Sequence, residues 1–302
     1  MYGESVASLK DIKRRIRSVQ NTKKITYAMK LVSAAKLRKA QDAVNSAREY
    51  TDSLNHLVSQ ILSVTTMDEL SHPLMEERSE VRRVRLVVVG AGRGLCGAFN
   101  ANVNKQIDKA LKDLGRDYPE ADIDTYVLGK KPREHVVRKG IASTKIIEEL
   151  PESAFEWPID QVCEDLEDAF LSNEVDRVYI LFMRFKSAMS QTPTLEQLLP
   201  MTAVDANENA TEQEIQGVIL FEPSASEVFQ SLVPRILRTR VQQAALDTKA
   251  SEHGSRMVAM DAATKNAGEL GRSLTLTHNK LRQGAITSEL LDIIGGAEAL
   301  NE

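Results

Sequence analysis

Val87–Asn100 reads VVVGAGRGLCGAFN: an apolar run, a glycine-rich turn, then the first residues of a helix. Gly92, Gly94 and Gly97 satisfy GxGxxG, the spacing with which a dinucleotide-binding turn lets a pyrophosphate approach the backbone. That chemistry also needs an acid at the end of the second strand, for the ribose hydroxyls. Here the next strand, TYVL at Thr125–Leu128, runs into Gly129-Lys130-Lys131-Pro132, and the acid is missing from that spot. A phosphate-cradling P-loop fails as well, because Ala98-Phe99 stand where a Lys and a Ser/Thr belong. The residues favour a tight strand-to-helix turn whose glycines allow close packing. A nicotinamide-dependent oxidoreductase built on Gly92, Gly94 and Gly97 is the alternative reading.

Outward from this turn the chain alternates strands and helices. Strands are expected at Val84–Val89, Asp124–Leu128, Val178–Phe185 and Thr192–Leu199. Helices are expected at Asn102–Leu114, Pro132–Lys139 and Pro158–Leu171. Such alternation argues an α/β sheet. Met201–Gly217, which contains DANENATEQE, reads as an exposed loop.

The two ends of the chain read differently. Residues 8–62 lack Pro and Gly, with Ser8 as a candidate N-cap. Ile12, Ile16 and Val19 begin a 4-3 spacing, polar residues interrupt it around Asn21–Lys24, and it resumes at Ala40, Ala43, Ala47, Tyr50, Leu54, Leu57 and Ile61. A second helix is expected from Ser224 to the stop at Gly295-Gly296, with Pro234 near its start and a seam at Met260, Ala263, Ala267, Leu270, Leu274, Thr277 and Leu281. Two matching seams rich in small residues predict a slender antiparallel coiled coil. The fold class is therefore α/β plus a long coiled coil: the terminal helices pair, and a Rossmann-like α/β domain is inserted between them. The expected segments are 1–75, 76–222 and 223–302.

Composition agrees. Among 302 residues only 5 % are aromatic, so the core is built from Ala, Val, Leu and Ile. Net charge is −4, but Lys10, Lys13, Arg14, Arg15, Arg17, Lys23, Lys24, Lys30, Lys36, Arg38 and Lys39 crowd one segment, pointing to an acidic partner for that end. Nucleic acid is a poor fit, since the aromatic residues on which bases stack are absent there. Cys96 and Cys163 are the only cysteines, no secretory signal is visible, and no apolar run is long enough to span a membrane. The five histidines make no metal cluster and there is no nucleophile motif, so no catalytic residue, metal or cofactor is expected.

IKRRIRSVQNTKKITYAMKLVSAAKLRKAQ (Ile12–Gln41), RGLCGAFN (Arg93–Asn100), ASEHGSRMVAMDAATKNAGEL (Ala250–Leu270) and NKLRQGAITSELLDIIGGAEAL (Asn279–Leu300) closely resemble, in order, four segments of the gamma-subunit family of the rotary ATP synthase. The resemblance implies a non-catalytic rotor shaft. Its helix pair would stand inside a ring of alpha and beta subunits, and its α/β domain would lie against the epsilon subunit and the membrane ring of c subunits. ATP chemistry would occur on the beta subunits. The resemblance further implies that Lys23, Lys24, Lys30 and Lys36 face acidic beta-subunit loops. Met29, Arg256, Arg282, Gln283 and Thr287 match family positions for coupling, and Leu290–Leu300 would be a bearing tip. For Met29, simple seam packing is an equal reading. Where the family commonly has Ser-Asp before the turn, this chain has Gly90-Ala91-Gly92, which creates the apparent dinucleotide fingerprint. With no targeting peptide ahead of the first segment, the expected place is the cytoplasmic face of a bacterial inner membrane.

Overall fold

The structure is a computed structural model that describes residues 9–65, 70, 72–201 and 221–299. The chain divides into two compact units, one made of Met1–Ser33 with Met257–Glu302, the other of Ala34–Arg256. Helices α1 (Leu9–Val64) and α5 (Ala225–Ala299) contribute to both.

Between them lie β1 (Arg83–Val89), α2 (Phe99–Asp117), β2 (Asp122–Leu128), α3 (Lys130–Lys139), β3 (Ser143–Ile147), α4 (Ile159–Leu171), β4 (Arg177–Ser187) and β5 (Ser190–Leu199). The strands form one sheet in the order β3-β2-β1-β4-β5. β1 pairs parallel with β2 and with β4, β2 pairs parallel with β3, and β5 turns back antiparallel on β4. Right-handed crossovers put α2 and α3 on one face and α4 on the other, because the chain reverses its direction of travel between β3 and β4. The parity of β1 agrees. Leu86 and Val88 join the cluster of Val103, Ile107, Ala110 and Leu114 from α2, whose spacing is that of a helical stripe. Arg85 points to the α4 side, where its guanidinium makes two bonds to Asp124 at 2.8 and 3.0 Å.

β3 was not anticipated. STKII is short and lies at the sheet edge with none of its residues buried, and it carries neither a long apolar run nor a clean alternation. The stop expected at Gly295-Gly296 is also corrected, since α5 runs on to Ala299. A glycine lowers helix stability by only about 1 kcal/mol and does not by itself terminate one. Pro234 lies inside α5. Ser8 and the loop expected at Met201–Gly217, after its first residue, fall outside the described residues.

Both expected seams need a one-residue correction at alternate positions. On α1 the covered stripe runs through Ile12, Ile16, Val19, Thr26, Lys30, Ser33, Leu37, Ala40, Val44, Ala47, Thr51, Leu54, Val58 and Ile61, with exposed Lys23 in the remaining place. Tyr50 and Leu57, expected in the seam, are 52 % and 40 % exposed, while their neighbours Thr51 and Val58 turn inward. Counting Lys23, the steps alternate four and three, so the register carries through Asn21–Lys24, although those residues are all exposed and the cover is interrupted there as expected. On α5 the stripe uses Met257, Met260, Thr264, Ala267, Gly271, Leu274, His278, Leu281 and Ala285. Leu270 and Thr277 point outward. In both helices apolar residues one step away from small or polar seam positions mislead a reading by hydrophobicity.

Within the first unit the two helices run antiparallel. Lys30 pairs with Asp261, Thr264 donates its hydroxyl to Thr26 at 2.8 Å, Lys23 lies over Gly268, and Val19 lies over Gly271. As one number falls the other rises. A stripe with a 3.5-residue period gives such a pair left-handed supercoiling.

Candidate functional site

In a doubly wound sheet a ligand binds beyond the carboxyl ends of the strands, where neighbouring connections leave in opposite directions. Here that place is outside β1 and β4, and the Gly90–Gly97 turn forms its floor. It is filled by the chain itself. Every residue of α5 from Ala244 to Gly254 is buried, although the run includes Asp247, Thr248, Lys249, Ser251, Glu252 and His253. Arg256, also buried, donates from Nε and Nη2 to the carbonyl of Gly94 at 3.3 and 3.2 Å. Arg256 thus approaches the turn from within the chain, at the backbone of one of the fingerprint glycines.

The glycines tell the same story. A Cβ on Gly92 or Gly94 would meet nothing within 4 Å, so neither is required for close approach. The tight contacts are at Gly90, whose Cβ would fall 2.7 Å from the Pro132 ring, and at Gly129, whose Cβ would fall 2.7 Å from the Gly90 carbonyl. Gly129 also has φ +110°, a region open in practice only to glycine. The expectation that the fingerprint glycines allow close packing is therefore corrected for Gly92 and Gly94: the close approach is between Gly90, Pro132 and Gly129. Cys96 is buried within the turn, and burial raises its pKa, which disfavours the thiolate.

Around Arg256 lies a hub of charges. Glu252, 1 % exposed, takes Arg256 at 2.6 Å and Lys249 at 3.3 Å. His253 lies between Arg256, 3.4 Å from Nδ1, and Glu152, 3.4 Å from Nε2. Burial holds its pKa down to about 4, against the opposing pull of Glu252. Glu152 also accepts from Lys36 of α1 at 2.7 Å. Burial pushes its pKa up, but the Lys36 hydrogen bond and the charges of Lys249, Lys36 and His253 outweigh this and hold it at about 2. A cavity of about 390 Å³ adjoins the hub, walled by Lys39, Ala40 and Phe155 among others. A second, of about 590 Å³, opens on the α4 face beside Arg85, Tyr126, Lys145 and Asp165.

The residues singled out from the sequence do not form one site. Lys23 and Lys24 are exposed, and neither makes an ion pair among the described residues. Lys30 is bonded to Asp261 at 2.6 Å and Lys36 to Glu152, so both already have anions. Met29 is half-buried, one position before the stripe residue Lys30. Arg282, Gln283 and Thr287 are exposed on α5, where Thr287 donates to the Gln283 carbonyl at 3.0 Å.

The family model described as ATP synthase matches residues 8–300. An ATP synthase gamma chain of Geotalea uraniireducens is 41 % identical over 98 % of this chain and 99 % of its own length. One from Flavobacterium johnsoniae is 41 % identical over 98 % of this chain and 100 % of its own. The chain belongs to the ATP synthase gamma-chain family. A chain in the Euglena gracilis mitochondrial ATP synthase, OSCP/F1/c-ring in rotational state 3, shares the fold at a TM-score of 0.61 and 18 % identity, covering 97 % of this chain and 94 % of that one. The Euglena rotor in rotational state 1 gives a TM-score of 0.58 over 92 % of this chain and 98 % of that one, at 17 % identity.

For a gamma chain, the feature the sequence did not disclose is the buried polar stretch of α5. LDTKASEHG has no apolar periodicity. Its one signal is small size, at Ala244, Ala245, Ala250, Ser251 and Gly254, the last of which comes close to Ala188 and Phe185.

Proposed function

We propose that this chain is the rotor shaft of the central stalk of an ATP synthase, coupling ion flow across a membrane to ATP synthesis, or the reverse. Its kinship to gamma chains over nearly the whole length carries the reading. The long helix pair with a small, polar seam supports it, because a shaft turning in a cavity must be thin. On this reading the beta subunits of a surrounding alpha/beta ring perform the ATP chemistry and this chain contributes none. The α/β domain would contact the epsilon subunit and the ring of c subunits, on the cytoplasmic face of the membrane. Among the described residues no helix is long and apolar enough to cross a membrane.

Lys23 and Lys24 are the first candidates to meet acidic beta-subunit loops. Lys30 and Lys36 would do so by exchanging Asp261 and Glu152 for an external carboxylate. Exposed pairs of this kind are each worth about 0–1 kcal/mol, weak enough not to hold the shaft at one angle. Met29, Arg282, Gln283 and Thr287 would meet the ring as well, with Leu290–Leu300 as the bearing tip. Arg256 would act from within, through Gly94 and Glu252.

Co-expression with cognate alpha and beta subunits, followed by native mass and ATPase assay, tests the reading. A complex containing one copy of this chain, with ATPase activity dependent on it, is expected. A chain that stays free, or joins without affecting turnover, would overturn it.

A further inference from the structure

β4 outruns its neighbour. β1 pairs with it only as far as Val88↔Leu181, while β4 continues beside β5 to Ser187. Past Leu181, the N–H and C=O of Met183 and the N–H of Phe185 have no strand on the β1 side. Buried backbone groups do not stay unpaired, and here a helix supplies side chains in place of a strand. Ser251 donates its hydroxyl to the Met183 carbonyl at 3.0 Å. Met183 N–H donates to Thr248 Oγ1 at 3.5 Å, and Phe185 N–H to Asp247 Oδ1 at 3.4 Å. Thr248 and Ser251 are wholly buried, and Asp247 is 2 % exposed. One turn further along the same face, Gly254 approaches so closely that a Cβ would lie 3.1 Å from Ala188 Cα.

A helix seated by apolar contacts alone can rotate about its axis by repacking. One bonded through buried hydroxyls and a carboxylate to a fixed strand edge cannot rotate without leaving polar groups buried and unpaired. We propose that Asp247, Thr248 and Ser251 are a torsional clamp, fixing the rotation of α5 about its own axis to strand β4. Twist applied to the central sheet is then carried along α5 instead of being lost as slippage. These are positioning residues, and the inference rests on the rotor-shaft reading above.

The test uses the assembled complex in inverted membrane vesicles. Thr248→Val with Ser251→Ala removes both hydroxyls at nearly constant shape, and Thr248→Ser keeps one. In the double variant, amide exchange at residues 182–186 is expected to rise about tenfold. ATP hydrolysis should stay within about twofold of the unaltered complex while ion uptake per ATP falls about threefold or more. Thr248→Ser should match the unaltered complex in all three. Should the double variant not assemble, Ser251→Ala alone is read by the same measurements. Faster exchange with unchanged ion uptake per ATP would overturn the clamp, and so would unchanged exchange. Failure of the unaltered chain to enter the complex would overturn the shaft reading instead.

Discussion

Lys30 Nζ lies 2.6 Å from Asp261 Oδ1, joining two helices whose residues are far apart in sequence. Asp261 also takes Lys265 at 2.8 Å. The Lys265 hydrogen bond and then that of Lys30 hold its pKa down to about 2. A carboxylate with a lowered folded-state pKa stabilises above its unfolded value and loses that contribution as pH falls. The helix pair should therefore weaken as pH drops from about 4 towards 2. Asp261→Asn should make this acid dependence shallower, leaving the part due to Glu152, and lower the melting temperature by no more than a few degrees at neutral pH. Thermal scans followed by circular dichroism across that pH range check both.

His253 has the same proton preference in a higher pH window. Its folded-state pKa of about 4 lies below the ordinary 6.5, so the folded chain resists taking up the proton. Its contribution is fully present above about pH 6.5 and declines as pH falls towards 4. Glu252, Glu152, Lys249 and Arg256 all face it. In His253→Gln the decline between pH 6.5 and 4 should be shallower, as read from urea unfolding at stepped pH.

The glycine turn separates two kinds of glycine. Gly129→Ala should cost about 2–4 kcal/mol, from its φ and from the Gly90 carbonyl 2.7 Å away. Gly92→Ala and Gly94→Ala should stay within about 0.5 kcal/mol of the unaltered chain. Urea midpoints decide, and a large loss at Gly92 would contradict the open space around it.

The register of α1 is testable by truncation. Val58 is wholly buried and Leu57 is 40 % exposed. Val58→Ala should cost about 1–3 kcal/mol, and Leu57→Ala, though it removes more carbon, less than about 1 kcal/mol. The seam one residue over would reverse that order in a denaturant titration.

On α5, Gly268 and Gly271 have room to spare. A Cβ would lie 3.5 Å from flexible Lys23 and 3.7 Å from Val19, both ordinary contacts. Gly268→Ala and Gly271→Ala should each stabilise the paired helices by about 0.5–1 kcal/mol through helix propensity. Melting temperatures should rise, and a fall would mean the helices approach more closely than these distances allow.

The sequence disclosed what local physics controls. Val84–Val89 is apolar and β-branched, so it reads as a buried parallel strand, and Val103, Ile107, Ala110 and Leu114 announce one face of α2. The terminal helices are legible because nothing in residues 8–62 breaks a helix. What escaped depends on contacts between distant segments. The seam at Thr26, Lys30, Thr264 and Gly271 is polar or bare because each residue answers a particular partner. Ser251 and Thr248 look like solvated helix residues until β4 is seen to lack a neighbour. Of the residues suggested by family resemblance, Lys30, Lys36 and Arg256 turned out to have internal anions, which no count of charges along one segment could reveal.

The stripe of α1 keeps one alternation of fours and threes from Ile12 to Ile61, with Lys23 its one exposed position. The length of this helix is thereby quantised. Removing or adding a heptad leaves each remaining side chain on its old bearing, whereas a single-residue insertion swings everything beyond it by about 100° and turns the stripe out to solvent. Length variation within α1 should come in sevens.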